Sequence, residues 1–267
     1  MRFADKIPYE EVYEIPAVGN SANAAVAAAR LGLKSALISD IGADRWGKDC
    51  LAVLRKEGVA RKYITAHKGK KTNYHYVLWY EEDRTILVKH EAYSYAFPKK
   101  MPKTGWIYLS SLGAAAETLH DDIASYLEAN GEVKLAFQPG TYQMKMGTDR
   151  LRRIYARTEV FFCNREEAQR ILKTDTDDIK ELLRQVHVLG PKIAVITDGP
   201  AGAYASAGGK VWRMPAFPDP KPPYERTGAG DAFSSTFVAA LALQMSVPDA
   251  LKWAPINSMS VVQYVGA

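Results

Sequence analysis

Thr227-Gly228-Ala229-Gly230-Asp231-Ala232-Phe233 sets two glycines and a carboxylate at the start of a predicted helix, in which the apolar residues Phe233, Phe237 and Leu241 recur at a spacing of four. Glycine lets a backbone come close to a phosphate, and the first N–H groups of a helix have no partner within it. The helix dipole adds roughly half a positive charge at that end, which stabilises a phosphoryl group as its charge develops. A carboxylate held there can take the proton from an attacking hydroxyl, as phosphoryl transfer requires. The plainer reading is a glycine turn and a helix that Asp231 merely caps. Residues elsewhere in the chain decide between the two.

Upstream of this stretch, strand and helix patterns alternate. Strands are predicted at 105–110, 133–138, 159–163 and 192–197, and helices at 115–129, 147–156, 165–172 and 177–189. A hairpin at 203–213 leads through a Pro-rich loop, 215–223, to two closing helices at 229–244 and 248–264. Near the start, an Ala-rich helix over 21–31 meets Gly32, a short buried strand covers Ser35 to Ile41, and a helix over Arg45 to Glu57 ends at Gly58. Such alternation predicts an α/β domain with a mainly parallel sheet. The pattern changes between Val59 and Phe97. Tyr74, Tyr76, Leu78 and Tyr80 share one face at a period of two, a polar turn follows at Glu82-Asp83, and Thr85 to Lys89 returns. This predicts a small β lid at 59–97 on a main domain made of 1–58 and 98–267.

The 267 residues carry 35 Lys and Arg against 30 Asp and Glu, a net charge of +5 that suits an anionic ligand without requiring one. The densest basic cluster, Lys68 to Lys71, interrupted by Gly69, is short and has no interleaved aromatics, which argues against nucleic acid as a partner. No run approaches the ~18 consecutive apolar residues of a membrane span, so neither a membrane nor a signal peptide is expected. Cys50 and Cys163 stand apart and outside any metal-ligand spacing, which fits reduced thiols in the cytoplasm.

With its small-residue helix behind it, Thr227 to Phe233 resembles the C-terminal signature of the ribokinase (PfkB) carbohydrate-kinase family. Other segments agree, in the family's order. Gly19-Asn20-Ser21-Ala22-Asn23-Ala24 is similar to its N-terminal Gly-Gly-x-x-x-Asn motif, and Ile41-Gly42-x-Asp44-x-x-Gly47 to the turn that follows. Asn164-Arg165-x-Glu167 resembles its Asn-x-x-Glu motif, and Thr197-Asp198-Gly199-Pro200-Ala201-Gly202 its nucleotide loop. The resemblance implies a three-layer αβα sandwich with a β-sheet lid, and an ATP- and Mg²⁺-dependent kinase acting on a hydroxymethyl group of a sugar or sugar-like substrate. It makes Asp231 the base and gives the γ-phosphate to the backbone of Gly228, Ala229 and Gly230. Asn164, Thr197, Gly199, Gly202, Thr227 and Asn257 would lie along the nucleotide, Glu167 would help hold Mg²⁺, and Gly19, Asn20 and Asn23 would contact substrate. Each segment keeps a structural reading beside this one. Asn23 could cap its helix, and Asn164 with Glu167 is a capping box.

The departures from the family pattern matter as much. Val18 replaces the first glycine of the N-terminal pair, Phe137-Gln138-Pro139-Gly140 replaces an Asp-x-Asn strand end, and Glu225-Arg226 stands where an aspartate often helps bind a monovalent cation, leaving K⁺ activation open. Relatives usually begin with a strand bearing a sugar-binding aspartate, whereas only 18 residues precede Gly19 and no apolar strand precedes Asp5. A shortened member or a fragment of a longer reading frame is therefore expected, and a catalytically impaired nucleotide- or sugar-binding relative is one alternative. A nucleoside kinase of the same fold is another, since aromatic lid residues such as Tyr63, Trp79, Tyr93 and Tyr95 can stack on bases. The lid face is also a candidate homodimer contact, edged by Lys70, Lys71 and Glu81. A monomer mass independent of concentration in sedimentation would remove that expectation.

Overall fold

The computed structural model describes residues 4, 6–80, 83–224 and 226–266. Asp5, Glu81, Glu82 and Glu225, on which several expectations fall, lie outside the described residues. The first third of the chain forms helix α1 (Asn20–Arg30), strand β1 (Ser39–Gly42), helix α2 (Arg45–Lys56), strand β2 (Ile64–His67) and the antiparallel hairpin β3 (His75–Tyr80) and β4 (Asp83–Val88). The rest runs β5 (Trp106–Leu109), α3 (Leu119–Ala129), β6 (Lys134–Phe137), α4 (Thr141–Met146), α5 (Arg152–Arg157), β7 (Thr158–Asn164), α6 (Arg165–Leu172), α7 (Ile179–Val188), β8 (Ile193–Thr197), β9 (Ala203–Ala207), β10 (Lys210–Met214), α8 (Ala229–Ala242) and α9 (Val247–Val261).

Six strands make one mixed sheet in the order β10-β9-β8-β7-β6-β5. The pairs from β5 to β8 are parallel, and β9 and β10 add antiparallel. Strand alternation splits the interior into two layers. Leu135, Phe137, Phe161, Cys163, Ala194 and Ile196 face α3, α5, α6 and α7, in a core that includes Leu127, Ile154, Leu182 and Val186. Ala136, Val160, Phe162, Ile193 and Val195 face α8 and α9, against Phe233, Phe237, Ala250 and Leu251. The spacing of four in α8 thus serves this second layer, while α1 packs along α8 on the same side. The helices on both faces of the sheet make the αβα sandwich.

Three boundaries differ from the sequence reading. The helix expected at 147–156 is instead α4 and α5, because Gly147 takes φ 82° and ends the first before the second begins. The helix expected at 115–129 opens with a separate 3₁₀ turn at Ala114–Ala116. The strand expected over Ser35 to Ile41 is β1, and Ala36 contributes only a single bridge to Ala60. The strands between Val59 and Phe97 also do not form one sheet. β2 pairs in parallel with β1, and β3–β4 is a separate two-stranded sheet. Tyr74, Tyr76, Leu78, Ile86, Leu87 and Val88 of the hairpin region remain exposed.

Candidate active site

The parallel strands end at one edge of the sheet, where open α/β sheets bind ligands. There β5 runs into Ser110, β6 into Gln138, β7 ends at Asn164, and β8 ends at its register partner Thr197. The start of α8 reaches the same edge. Gly228 is its N-cap at φ 80°, which places Asp231 in the first turn.

Asp231 is where the N-terminal motif and the C-terminal motif meet. Asn20 Nδ2 donates to its Oδ1 at 3.0 Å and Asn23 Nδ2 donates to its Oδ2 at 3.0 Å. The Asn23 amide has its direction fixed from behind, because its Oδ1 accepts from the Gly19 N–H at 3.3 Å. Gln138 Nε2 adds a longer contact to Oδ1 at 3.4 Å, and the Gln138 Oε1 accepts from the Tyr108 hydroxyl. Burial pushes the Asp231 carboxyl above the usual aspartate range, and the amides of Asn23, Asn20 and Gln138 pull part of the way back. Among the described residues, the groups that set this balance are neutral amides. The carboxylate is therefore more basic than a free aspartate and held by neutral donors, as suits a proton acceptor.

Asn164 and Glu167 form the capping box of α6. Glu167 N–H donates to Asn164 Oδ1 at 2.8 Å, and Glu167 Oε2 accepts from the Asn164 N–H at 2.9 Å. The same carboxyl is pushed up by burial, more than its Asn164 bond lowers it. A cation beside it would offset that cost, so these residues fit a hard ion held through water. Among the described residues, no group of three or more His, Cys, Asp or Glu could hold a metal by itself.

After β8, a 3₁₀ turn covers Gly199–Ala201, and Gly202 takes φ 100°. A Cβ on Gly202 would lie 2.2 Å from the Met214 carbonyl oxygen, so only glycine lets this loop close against the end of β10. Arg165 pairs with Asp198 at 3.3 Å and ties the loops after β7 and β8 together. Asn257 Nδ2 donates to Thr236 Oγ1 at 2.8 Å and to the Ala232 carbonyl at 3.4 Å, so its amide joins α9 to the start of α8. It lines a groove of about 560 Å³ between α1, α8 and α9, with Asn23, Gly228 and Trp253 among its walls.

Reading the sequence left Tyr108 unnoticed and treated Gln138 only as a departure. The alternation of β5 carried a usable signal, since Trp106 and Tyr108 share the face that packs towards α8. Ser110 proves to be buried, its hydroxyl 2.9 Å from that of Ser21. Behind it lies a buried polar network. His120 Nδ1 donates to the Glu117 carbonyl, leaving Nε2 to accept from Gln143 Nε2 at 3.0 Å. Gln143 Nε2 also donates to the Ser110 carbonyl, and its Oε1 accepts from the N–H groups of Gly140 and Leu112. The network thereby fixes the loops that follow β5 and β6. Burial lowers the His120 pKa below 6.5, so the folded protein binds fewer protons there than the unfolded chain. His120 therefore contributes stability in full above about pH 6.5, and loses it as pH falls towards the lowered value. Denaturant melts between pH 7 and 5 are expected to show this slope, and a His120→Gln variant to lack its share of it.

A carboxylate at a glycine-opened helix, facing the carboxyl ends of parallel strands, suits phosphoryl transfer in an α/β sandwich. The chain matches the model of the pfkB family carbohydrate kinases over residues 6–267, and it belongs to that family. Among its relatives, it is 27% identical to the ribokinase of Bacillus subtilis over 244 residues, covering 88% of this chain and 78% of that one. It is 38% identical to the cytidine kinase of Thermococcus kodakarensis, over a shorter stretch of 92 residues that covers 34% of this chain and 32% of the other. Its fold superposes on Arabidopsis thaliana ribokinase complexed with ribose and ATP with a TM-score of 0.82 at 22% identity, covering 98% and 88% of the two chains. No described helix is long and apolar enough to cross a membrane.

Proposed function

We propose that this carbohydrate kinase transfers the γ-phosphoryl group of ATP to a hydroxymethyl group of a small sugar or sugar-like substrate, with Asp231 as the general base. The observation that carries the reading is the meeting of Asn20 and Asn23 with Asp231 at the start of α8. Amides that both donate and accept suit a polyol, and the carboxylate between them sits where a bound hydroxyl would present its proton. Asp231 takes that proton as the oxygen bonds to phosphorus and the bond to the β-phosphate breaks. ADP departs and a phosphate ester remains.

The N–H groups that open α8, at Ala229 and Gly230, together with the Gly228 turn, face the charge that grows on the transferring group. Thr197, Gly199, Gly202 and Thr227 line the nucleotide in this reading. Asn164 and Glu167 would hold Mg²⁺ through water, and the ion would offset the charge of the phosphates. A nucleoside as acceptor is the second reading, favoured by the exposed Tyr74 and Tyr76, whose rings lie 5.5 Å apart on the hairpin.

The test is ADP release from Mg·ATP with a panel of sugars and nucleosides, each run beside its analogue lacking the hydroxymethyl oxygen. The reading expects one sugar to stimulate release and its deoxy analogue not to. Stimulation only by nucleosides would favour the second reading, and ATP binding without release across the panel would count against both.

A further inference from the structure

The carboxylate of Asp231 needs its proton-accepting oxygen aimed in one direction, yet its two asparagine partners both belong to α1. A third partner comes from the end of β6 and shares Oδ1 with Asn20. Gln138 Nε2 lies 3.4 Å from Oδ1, and the Gln138 N–H donates to the Leu109 carbonyl of β5, so its backbone is tied to the sheet. A glutamine amide has two chemically opposite ends of nearly equal size, and only the nitrogen end can donate to a carboxylate. The reversed amide would set a carbonyl oxygen against Oδ1, two acceptors in contact. Something must therefore choose the end. The Tyr108 hydroxyl, on the adjacent strand β5, donates to Gln138 Oε1 and does so.

The choice holds only while Tyr108 keeps its proton. Burial and the neighbouring Asp231 charge push the Tyr108 hydroxyl well above 10, more than the Ser234 hydroxyl beside it lowers it. Across the working range of an enzyme it remains a donor. The arrangement joins residues far apart in the sequence. Tyr108, Gln138 and Asp231 are 30 and 93 residues apart in successive steps, and Gln138 stands at one of the departures from the family pattern noted above.

We propose that Tyr108 and Gln138 are a positioning pair for Asp231: the tyrosine hydroxyl fixes the Gln138 amide, and the amide nitrogen holds Oδ1 so that the carboxylate keeps one orientation and its ionised form. The proposal rests on the reading of Asp231 as the base. Neither residue exchanges a proton with substrate. Their effect is on the aim of the carboxylate and on the pH at which it ionises.

The test follows the side-chain carboxyl carbon of Asp231 by NMR in ¹³C-aspartate-labelled protein, with Asp231→Asn identifying the resonance. Wild type, Gln138→Met and Tyr108→Phe are titrated, and kcat against pH is measured for each. Removing a donor to the charged form raises a carboxyl pKa. The titration midpoint and the acid limb of kcat are therefore expected to move to higher pH in Gln138→Met, and in the same direction but less in Tyr108→Phe. A misdirected base is expected to lower kcat by on the order of 10- to 100-fold in Gln138→Met, with KM for ATP within about twofold of wild type. Tyr108→Phe removes a single oxygen atom and guards against a variant that fails to fold. Midpoints that coincide with wild type in both variants would overturn the positioning pair while leaving the base intact. Turnover surviving in Asp231→Asn would overturn the base itself, whatever the titrations show.

Discussion

Asp231→Ala is expected to lower the rate of ADP formation by about 10²–10⁴-fold, the usual contribution of a positioned general base, while its melting temperature moves little. The two halves of this expectation share a cause. Burial raises the Asp231 carboxyl pKa, so the folded state holds the proton more tightly than the unfolded chain does. A group raised in this way works against folding once it is ionised, and the stability it could give is lost as pH rises through its folded value. Once ionised, the side chain is a burden on the fold. Alanine relieves that burden and leaves the amides of Asn20, Asn23 and Gln138 to water, so gain and loss oppose each other. The rate has no such compensation, because no other carboxylate contacts this end of α8 among the described hydrogen bonds. Turnover near that of the wild type would mean that the proton leaves by another route.

Gly202→Val is expected to cost on the order of 4 kcal/mol in unfolding free energy and to raise KM for ATP. Two penalties add. The backbone there has φ 100°, which a β-branched residue adopts only under strain, and the new Cβ would meet Met214 O at 2.2 Å and Pro215 Cα at 2.9 Å. Both obstacles are backbone atoms, which cannot rotate aside. Gly208→Val is the matching control, since Gly208 has φ 54° but nothing within 4 Å of the place a Cβ would take. It should lose only the conformational part, about 1–2 kcal/mol, and leave KM for ATP unchanged. Chemical denaturation of the two variants side by side checks both figures. Equal losses would mean that the contact with the end of β10 is easily relieved.

Much of the sandwich was legible because its elements are stabilised locally in a recognisable pattern. α6 and α7 carry their caps in the sequence, with Asn164 and Asp178 accepting from the first turn of each, and the apolar runs of β6 to β8 are those of strands covered on both faces. The reading failed where pairing is decided at a distance. Nothing in the period of Ser39 to Gly42 announces that it pairs with Ile64 to His67 and not with β5, because parallel register is fixed by whatever covers the strand. Among site residues, Asp231 stood out through the glycines that open its helix, and Asn20 and Asn23 through the resemblance of their segment to the family's N-terminal motif. Gln138 and Tyr108 did not, since each looks like an ordinary strand residue until the sheet sets one beside the other. His120 and Gln143 were equally silent. A buried polar pair leaves no period in a sequence, and its presence shows only in the bonds it completes.

The double engagement of Asp231 by α1 also bears on how a kinase avoids wasting its nucleotide. Asn20 engages one carboxylate oxygen and Asn23 the other. Under the proposed reading, a stray water that wanders in has to compete with both amides before it can lose a proton. A polyol arrives with several hydroxyls at once and can exchange with the asparagines while offering its own proton to the oxygen they release. Idle hydrolysis of ATP would thus be suppressed by the hydrogen bonds themselves, and the sugar would act as the key that unlocks the base.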